Sequence, residues 1–228
     1  MDRMGTLMIR SDVCADLAQM KPFSLLPKAE MERIAPSCSQ RAINAGDVIY
    51  SEDQWVDYLW VLTAGLVRIA AQPPGGGQAT VNIMRPGDLI GCLNGICRHR
   101  HPTEGMTLVD SSVIVIPKRR YQELLTHADF AQGIIHILGE RLWESQSMRA
   151  IATQSSEKRL AWTLLWLHGK MGRRIPMTRR MIAETAGVAR ETSIRVLSPL
   201  EKKGWVKTRR GVLELLKPEK LRELLDAR

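Results

Sequence analysis

Between Gln40 and Pro117 the chain is cut by turn-forming residues about every 8 to 14 positions, and this punctuation restricts the fold more than any other feature. Asn44-Ala45-Gly46-Asp47, Ser51-Glu52-Asp53, Thr63-Ala64-Gly65, Pro73-Pro74-Gly75-Gly76-Gly77 and Arg85-Pro86-Gly87-Asp88 separate short apolar runs: Val48 to Tyr50, Tyr58 to Leu62, Leu66 to Ala71, Thr80 to Met84 and Ser112 to Ile116. Runs this short, rich in β-branched residues and joined by tight turns, predict an antiparallel barrel or jelly roll. The stretch Pro73 to Gln78 has no Lys, Ser or Thr placed for a phosphate and no helix after it, so it reads as a hairpin loop.

A different texture starts at Lys118. Asp129 to Ala152 contains no proline, and Ile134, Ile135, Ile137, Leu138, Leu142, Trp143, Met148 and Ile151 recur at helical spacing. The pattern predicts one helix of about 20 residues with more apolar positions than a single stripe needs. One face suits the roll. A second face, through Ile134, Ile135, Leu138 and Leu142, asks for a partner, most economically a second copy of the chain. A single buried core helix is the competing reading.

The third texture is electrostatic. The whole chain of 228 residues has a formal charge of +9, yet the residues after Ala150 hold 18 basic and 8 acidic side chains while the first 150 are nearly balanced. Within the basic part, Glu157 to His168 reads as an amphipathic helix. Thr178 caps a short helix from Arg179 to Ala186, Gly187 ends it, and a second helix begins near Arg190 and runs to Lys203. Two helices joined by this tight turn describe a helix-turn-helix. Gly204 to Thr208, the basic turn Arg209-Arg210-Gly211 and Val212 to Leu215 then read as a two-stranded wing.

These three textures predict an α+β chain: an N-terminal antiparallel β-roll (jelly-roll-like), a long dimerisation helix and a C-terminal winged helix-turn-helix domain. The expected divisions are an N-terminal segment 1–22, a β-roll domain 23–128, to which the family resemblance described below adds effector sensing, the dimerisation helix 129–154 and the DNA-binding domain 155–228. If Ser193, Val196, Leu197 and Leu200 face inward, then Arg190, Glu191, Ile194 and Arg195 face out as base readers: arginine forks onto guanine and a carboxylate accepts from cytosine. Thr178, Arg179, Thr192, Lys202, Lys207, Arg209 and Arg210 are the candidates for phosphate contact. Pro199 falls inside the second helix and removes a backbone donor, which predicts a kink or early end there.

No run approaches the ~18 to 20 apolar residues of a membrane span. The segment Met1 to Arg10 lacks the features of a signal peptide, so a cytoplasmic chain with no membrane partner is expected. In that compartment Cys14, Cys38, Cys92 and Cys97 are thiols or ligands before they are disulfides. An enzyme of the cupin kind, the rival from another class, would need histidines and carboxylates on facing strands; the roll offers only His99 and His101, both in one loop, so no enzymatic activity is expected.

With these residues in place, the chain resembles the Crp/Fnr transcription regulators from about Phe23 to Leu216. Arg190-Glu191-Thr192-Ser193-Ile194-Arg195 resembles that family's recognition string, although an apolar residue is usual at the position of Ser193 and a small or polar one at that of Ile194. Ala45 to Tyr50, Leu62 to Val67 and Arg85 to Gly91 resemble its three β-roll glycine motifs. The resemblance implies a homodimer on palindromic double-stranded DNA, an effector-binding roll and, for an activator, contact with RNA polymerase.

The effector is unknown from sequence, and the resemblance narrows it only by mismatch. Cyclic-AMP-binding members carry a glutamate near the position of Asp88-Leu89 and an Arg-Ser pair where this chain has His101-Pro102, with Arg100 adjacent; cyclic AMP is therefore not expected. Cys92, Cys97, His99 and His101 fall within ten residues and could serve metal, haem or thiol redox sensing. Two buried thiols with two solvated histidines is the plainer reading. The cysteine spacing of the iron-sulfur sensors is missing, and a haem-ligand histidine would fall near Leu93. A regulator with no small-molecule effector, controlled by abundance or cysteine oxidation, is the alternative.

Overall fold

The computed structural model describes residues 12–73, 78–97 and 99–226, the side chain of Asn94 excepted. The tip of the Gly-rich hairpin, Arg98 and Met1 to Arg10 lie outside the described residues. Two short helices come first, α1 (Val13–Ala18) and α2 (Lys28–Ile34). The strands follow: β1 (Ser39–Ile43), β2 (Val48–Tyr50), β3 (Tyr58–Ala64), β4 (Val67–Ala71), β5 (Ala79–Met84) and β6 (Leu89–Ile90). After helix α3 (Cys92–Cys97) come β7 (Glu104–Thr107) and β8 (Ser111–Pro117). They make two four-stranded sheets, ordered β1-β8-β3-β6 and β2-β7-β4-β5, and the pairings resolved within them are antiparallel. This is the expected roll. Gly65 turns β3 into β4 at φ +92°, and a Cβ there would run into Ser111, so only glycine serves.

Alternation along the strands gives the roll two cores. Ile43, Ile49, Tyr50, Trp60, Leu62, Val67, Ile69, Met84, Ile90, Val113 and Val115 draw from both sheets and fill the interior. The other face of the β1-β8-β3-β6 sheet sends Leu59, Val61, Leu89, Ile114 and Ile116 against Leu17, Phe23, Met31 and Ile34. Helices α4 (Lys118–Leu124) and α5 (Ala128–Ile151) close the same layer through Tyr121, Leu124, Phe130 and Ile134. Each such side chain removed from water contributes roughly 1.5–3 kcal/mol before the cost of ordering it.

Helix α5 has 24 residues, and its two apolar faces part company. Ile134 is buried at 1% exposure, and Leu138, one turn on, packs against the same core. Ile135, Leu142 and Trp143 are 68%, 61% and 71% exposed. The four-residue partner face expected from sequence is therefore corrected at Ile134, which belongs to the roll's own core on the helix face of Phe130; Leu138 is half-buried against that core, and Ile135 and Leu142 stay outside, joined by Trp143.

Contacts divide the chain into two compact units: the described residues of Met1–Gln72 with Val81–Trp143, and Pro73–Thr80 with Glu144–Arg228. In the second unit the remaining elements are α6 (Ser156–Met171), β9 (Arg174–Ile175), α7 (Arg179–Thr185), α8 (Arg190–Lys202), β10 (Val206–Arg209), β11 (Val212–Leu215) and α9 (Pro218–Asp226). The wing strands β10 and β11 pair antiparallel, and β9 adds a third strand, giving the order β10-β11-β9. Leu160, Leu164 and Leu167 of α6 are buried. Helix α8 does not end early at Pro199; it continues to Lys202. One lost backbone donor is outweighed because Leu197 and Leu200, on either side of the proline, are both buried. Among the described residues no helix is long and apolar enough to cross a membrane.

Candidate nucleic-acid interface

Local signals position the two helices. The Thr178 hydroxyl accepts the Met181 amide at 3.2 Å and starts α7. Gly187, at φ +63°, ends it, and the Val188 amide donates back to the Ala183 carbonyl at 3.0 Å. Ala183, 2% exposed, keeps the side chain small at that return. Helix α8 then lies with Ser193, Leu197 and Leu200 inward at 0%, 0% and 3% exposure. Arg190, Glu191 and Arg195 are exposed, Ile194 is 41% exposed, and Thr192 is half-buried. Among the described residues the side chains of Arg190, Glu191 and Arg195 make no hydrogen bond or ion pair.

The exchange at Ser193 and Ile194 has a local explanation. The Ser193 hydroxyl, fully buried, donates to the Arg190 carbonyl at 2.8 Å. Its polarity is met within the helix, so it fills an anchor position without an unsatisfied group.

Of the seven phosphate candidates, Arg179 is engaged elsewhere. Its guanidinium is ion-paired to Glu201 and donates from Nε to the Thr208 hydroxyl at 3.1 Å. Glu201 also accepts the Thr208 amide at 2.9 Å. That backbone bond first, then the Arg179 charge, holds the Glu201 carboxyl below the usual range. This triad ties α7, α8 and β10 together, and sequence reading missed it because the partners are 22 and 7 residues apart. Lys202, Lys207, Arg209 and Arg210 are exposed along the end of α8 and the wing. Arg209 approaches Glu214 at 3.8 Å, while the exposed Thr178 hydroxyl accepts as the cap and keeps its own proton to donate.

The loop expected to hold an effector is built differently from the expectation. The Asp88 carboxylate accepts the Arg85 amide at 2.8 Å and closes its own turn. Leu89 is buried, and its carbonyl accepts from Arg141 of α5. Cys92, 1% exposed, accepts from the same guanidinium at 3.2 Å. Cys97 and His99 are exposed. His101 is 1% exposed and stacks on Tyr50 with ring centroids 3.8 Å apart, while Tyr50 in turn stacks on Trp60 at 5.6 Å. Burial pushes the His101 imidazole down to about 4, so it is neutral near pH 7.

Two expectations are thereby corrected. Cys92, Cys97, His99 and His101 do not converge: Cys92 and Cys97 sit at opposite ends of α3, roughly 7.5 Å apart along its axis, and among the described residues no three His, Cys, Asp or Glu side chains group as a metal site. Nor is His101 a solvated loop residue. The position where a cyclic phosphate would meet a cation holds a neutral ring locked in an aromatic stack, and Arg100 turns to the Asp53 carbonyl at 2.9 Å and lies over Trp55. These residues do not fit a cyclic nucleotide. Cys38 donates to the Ile34 carbonyl, and burial raises its thiol to about 11, far from a cluster ligand.

A roll fold followed by a basic winged helix-turn-helix defines a class of DNA-binding regulators, and comparisons with known proteins agree. Residues 40–128 match the cyclic nucleotide-binding domain family and residues 158–224 the Crp-like helix-turn-helix domain. The nitrogen fixation regulation protein FixK of Rhizobium meliloti is 27% identical across 92% of this chain and 98% of its own. The structure of FixK2 from Bradyrhizobium japonicum superposes with a TM-score of 0.74 at 20% identity, covering 84% of this chain and 98% of that one. A Crp/Fnr-family transcriptional regulator of Thermus thermophilus gives 0.63 at 27% identity, over 83% and 100%. The chain belongs to the Crp/Fnr family of bacterial transcription regulators.

Proposed function

We propose that the chain binds a two-fold operator as a homodimer in the cytoplasm, with Arg190, Glu191, Ile194 and Arg195 reading bases and Thr192, Lys202, Lys207, Arg209 and Arg210 holding phosphates. The observation that carries this reading is the face of α8: cationic and anionic readers that have no internal partners among the described residues, backed by fully buried Ser193 and Leu197. The exposed stripe Ile135, Leu142 and Trp143 supports self-association through α5. Two copies would set their α8 helices to half-sites about 34 Å apart. A member of this family that activates transcription would also meet RNA polymerase.

A second observation bears on control. Tyr50, Trp60 and His101 occupy the roll interior themselves, which favours a roll that needs no small ligand. No metal, haem or cyclic nucleotide is proposed there, and no catalytic step.

Titration of operator and random DNA across salt concentrations tests the DNA reading. Arg190→Ala is expected to weaken the operator by about 1–3 kcal/mol and relax selectivity at one base pair, and Lys207→Ala to weaken both DNAs alike while lowering the salt slope by about 1. Equal losses on both DNAs for Arg190→Ala would remove it from the base readers.

A further inference from the structure

The wing carries more positive charge on one side than its turn accounts for. Strand β9 pairs with β11, and the register sets Lys207, Glu214 and Arg174 side by side across the three strands. Arg209, two residues along β10 from Lys207, shares their face. The opposite face is the seated one, where Val206, Leu213, Leu215 and Ile175 are buried. The outer face therefore presents three exposed cations, Arg174, Lys207 and Arg209, with one half-buried carboxylate among them.

That carboxylate does not use the cations up. The Nε atoms of Arg174 and Arg209 both lie 3.8 Å from the same Glu214 oxygen, beyond hydrogen-bond reach. Among the described residues the Lys207 ammonium makes no hydrogen bond or ion pair. Exposed pairs of this kind contribute little to stability. What Glu214 does is keep two guanidiniums close together, their Nε atoms no farther apart than twice that distance, where alone they would repel. Three positive charges against one negative, all within about a Debye length of ~10 Å, leave a surplus that a polyanion relieves. Neighbouring strands lie ~4.8 Å apart, so the row from Lys207 to Arg174 spans roughly 10 Å, about three base-pair steps of a duplex. A guanidinium is well matched to phosphate oxygens, which take two of its donors at once.

We propose that this outer face holds the phosphate backbone of the duplex flanking each half-site, with Arg174 on the third strand as a phosphate contact outside the sequence that α8 reads. The contact adds affinity on any flanking sequence, because phosphates carry no base identity. Glu214 is the spacer that lets the cations share one small face. The inference rests on the DNA-binding reading above and extends it from the base-reading helix to the side of the wing.

The test uses the full chain and an operator that it selects from a pool of random duplexes. Two versions of that operator are titrated across salt concentrations: one ends at the outermost selected base pair, and the other carries about one helical turn more, roughly ten base pairs of unselected sequence, on each side. The parent is expected to bind the longer duplex roughly threefold more tightly or better near 0.1 M salt. Arg174→Gln is expected to remove most of that advantage, to lower the salt slope on the longer duplex by about 1 per bound protomer, and to leave the shorter duplex within about twofold of the parent. Arg174→Lys keeps the charge and should restore the slope. Arg222→Gln removes an exposed cation of helix α9 instead and should leave the length advantage in place. Both Arg174 and Arg222 are exposed, so every variant should melt near the parent. Equal affinity of the parent for the two lengths, equal loss on both duplexes in Arg174→Gln, or the same loss of advantage in Arg222→Gln overturns the flank contact and leaves the base reading standing. A parent that selects no operator overturns the DNA reading, and this contact with it.

Discussion

The roll and the winged module use polar and aromatic side chains in opposite ways. In the roll, Tyr50, Trp60 and His101 stack on one another, and Arg141 spends its donors on Leu89 and Cys92. In the winged module, Arg190 and Arg195 stand exposed and, among the described residues, unpaired, on a helix whose other side is fully buried. A group whose donors are already met inside the protein has little left to offer a ligand. One left in water, held by a rigid backing, loses little order when something binds. The difference directs attention for nucleic-acid contact to α8 and away from the roll interior.

Three changes would break or sharpen that contrast, the largest first. Tyr50→Ala empties the middle of the stack and is expected to destabilise the roll by roughly 3–5 kcal/mol, read as a lower denaturation midpoint; a loss below about 1 kcal/mol would mean that the rings do not hold the interior. Acid should act on the same stack. The folded His101 titrates near 4 and the unfolded one near the ordinary 6.5, so the unfolded chain binds the proton first. Stability is intact above about pH 6.5 and falls as pH drops towards 4, by roughly 3 kcal/mol in all. His101→Phe should flatten that slope, and an unchanged slope would place the acid sensitivity elsewhere. In the winged module Glu201→Gln keeps the shape but removes the charge that meets Arg179. It is expected to loosen the wing by about 1 kcal/mol and to speed amide exchange at Thr208, a measurement the roll variants should leave unaltered.

What was legible in the sequence follows from how far apart the deciding residues lie. Thr178, Gly187 and the apolar spacing of α8 act within one or two turns, so the helix-turn-helix could be read almost to the residue. The glycine turns of the roll are local too. The third wing strand β9 had no such signal, because Arg174 and Ile175 become a strand only by pairing with Glu214 and Leu213, whereas helix α9 is marked locally by Pro218 at its start and by the spacing of Leu221, Leu224 and Leu225. Periodicity announced two apolar faces on α5 without saying which met the roll; that depended on Phe130 and Ile134 finding the layer around Phe23 and Tyr121. His101 looked like a loop histidine because nothing near it in sequence reveals Tyr50 as its neighbour.

The buried hydroxyl of Ser193 separates two selections on one helix. Because it closes its hydrogen bond on the Arg190 carbonyl, which any side chain at position 190 would still present, the anchor is indifferent to what the outer face reads. Substitutions at 190, 191, 194 and 195 could therefore wander towards new operators while the helix stays seated, so this regulator could acquire new target genes without first acquiring a new fold.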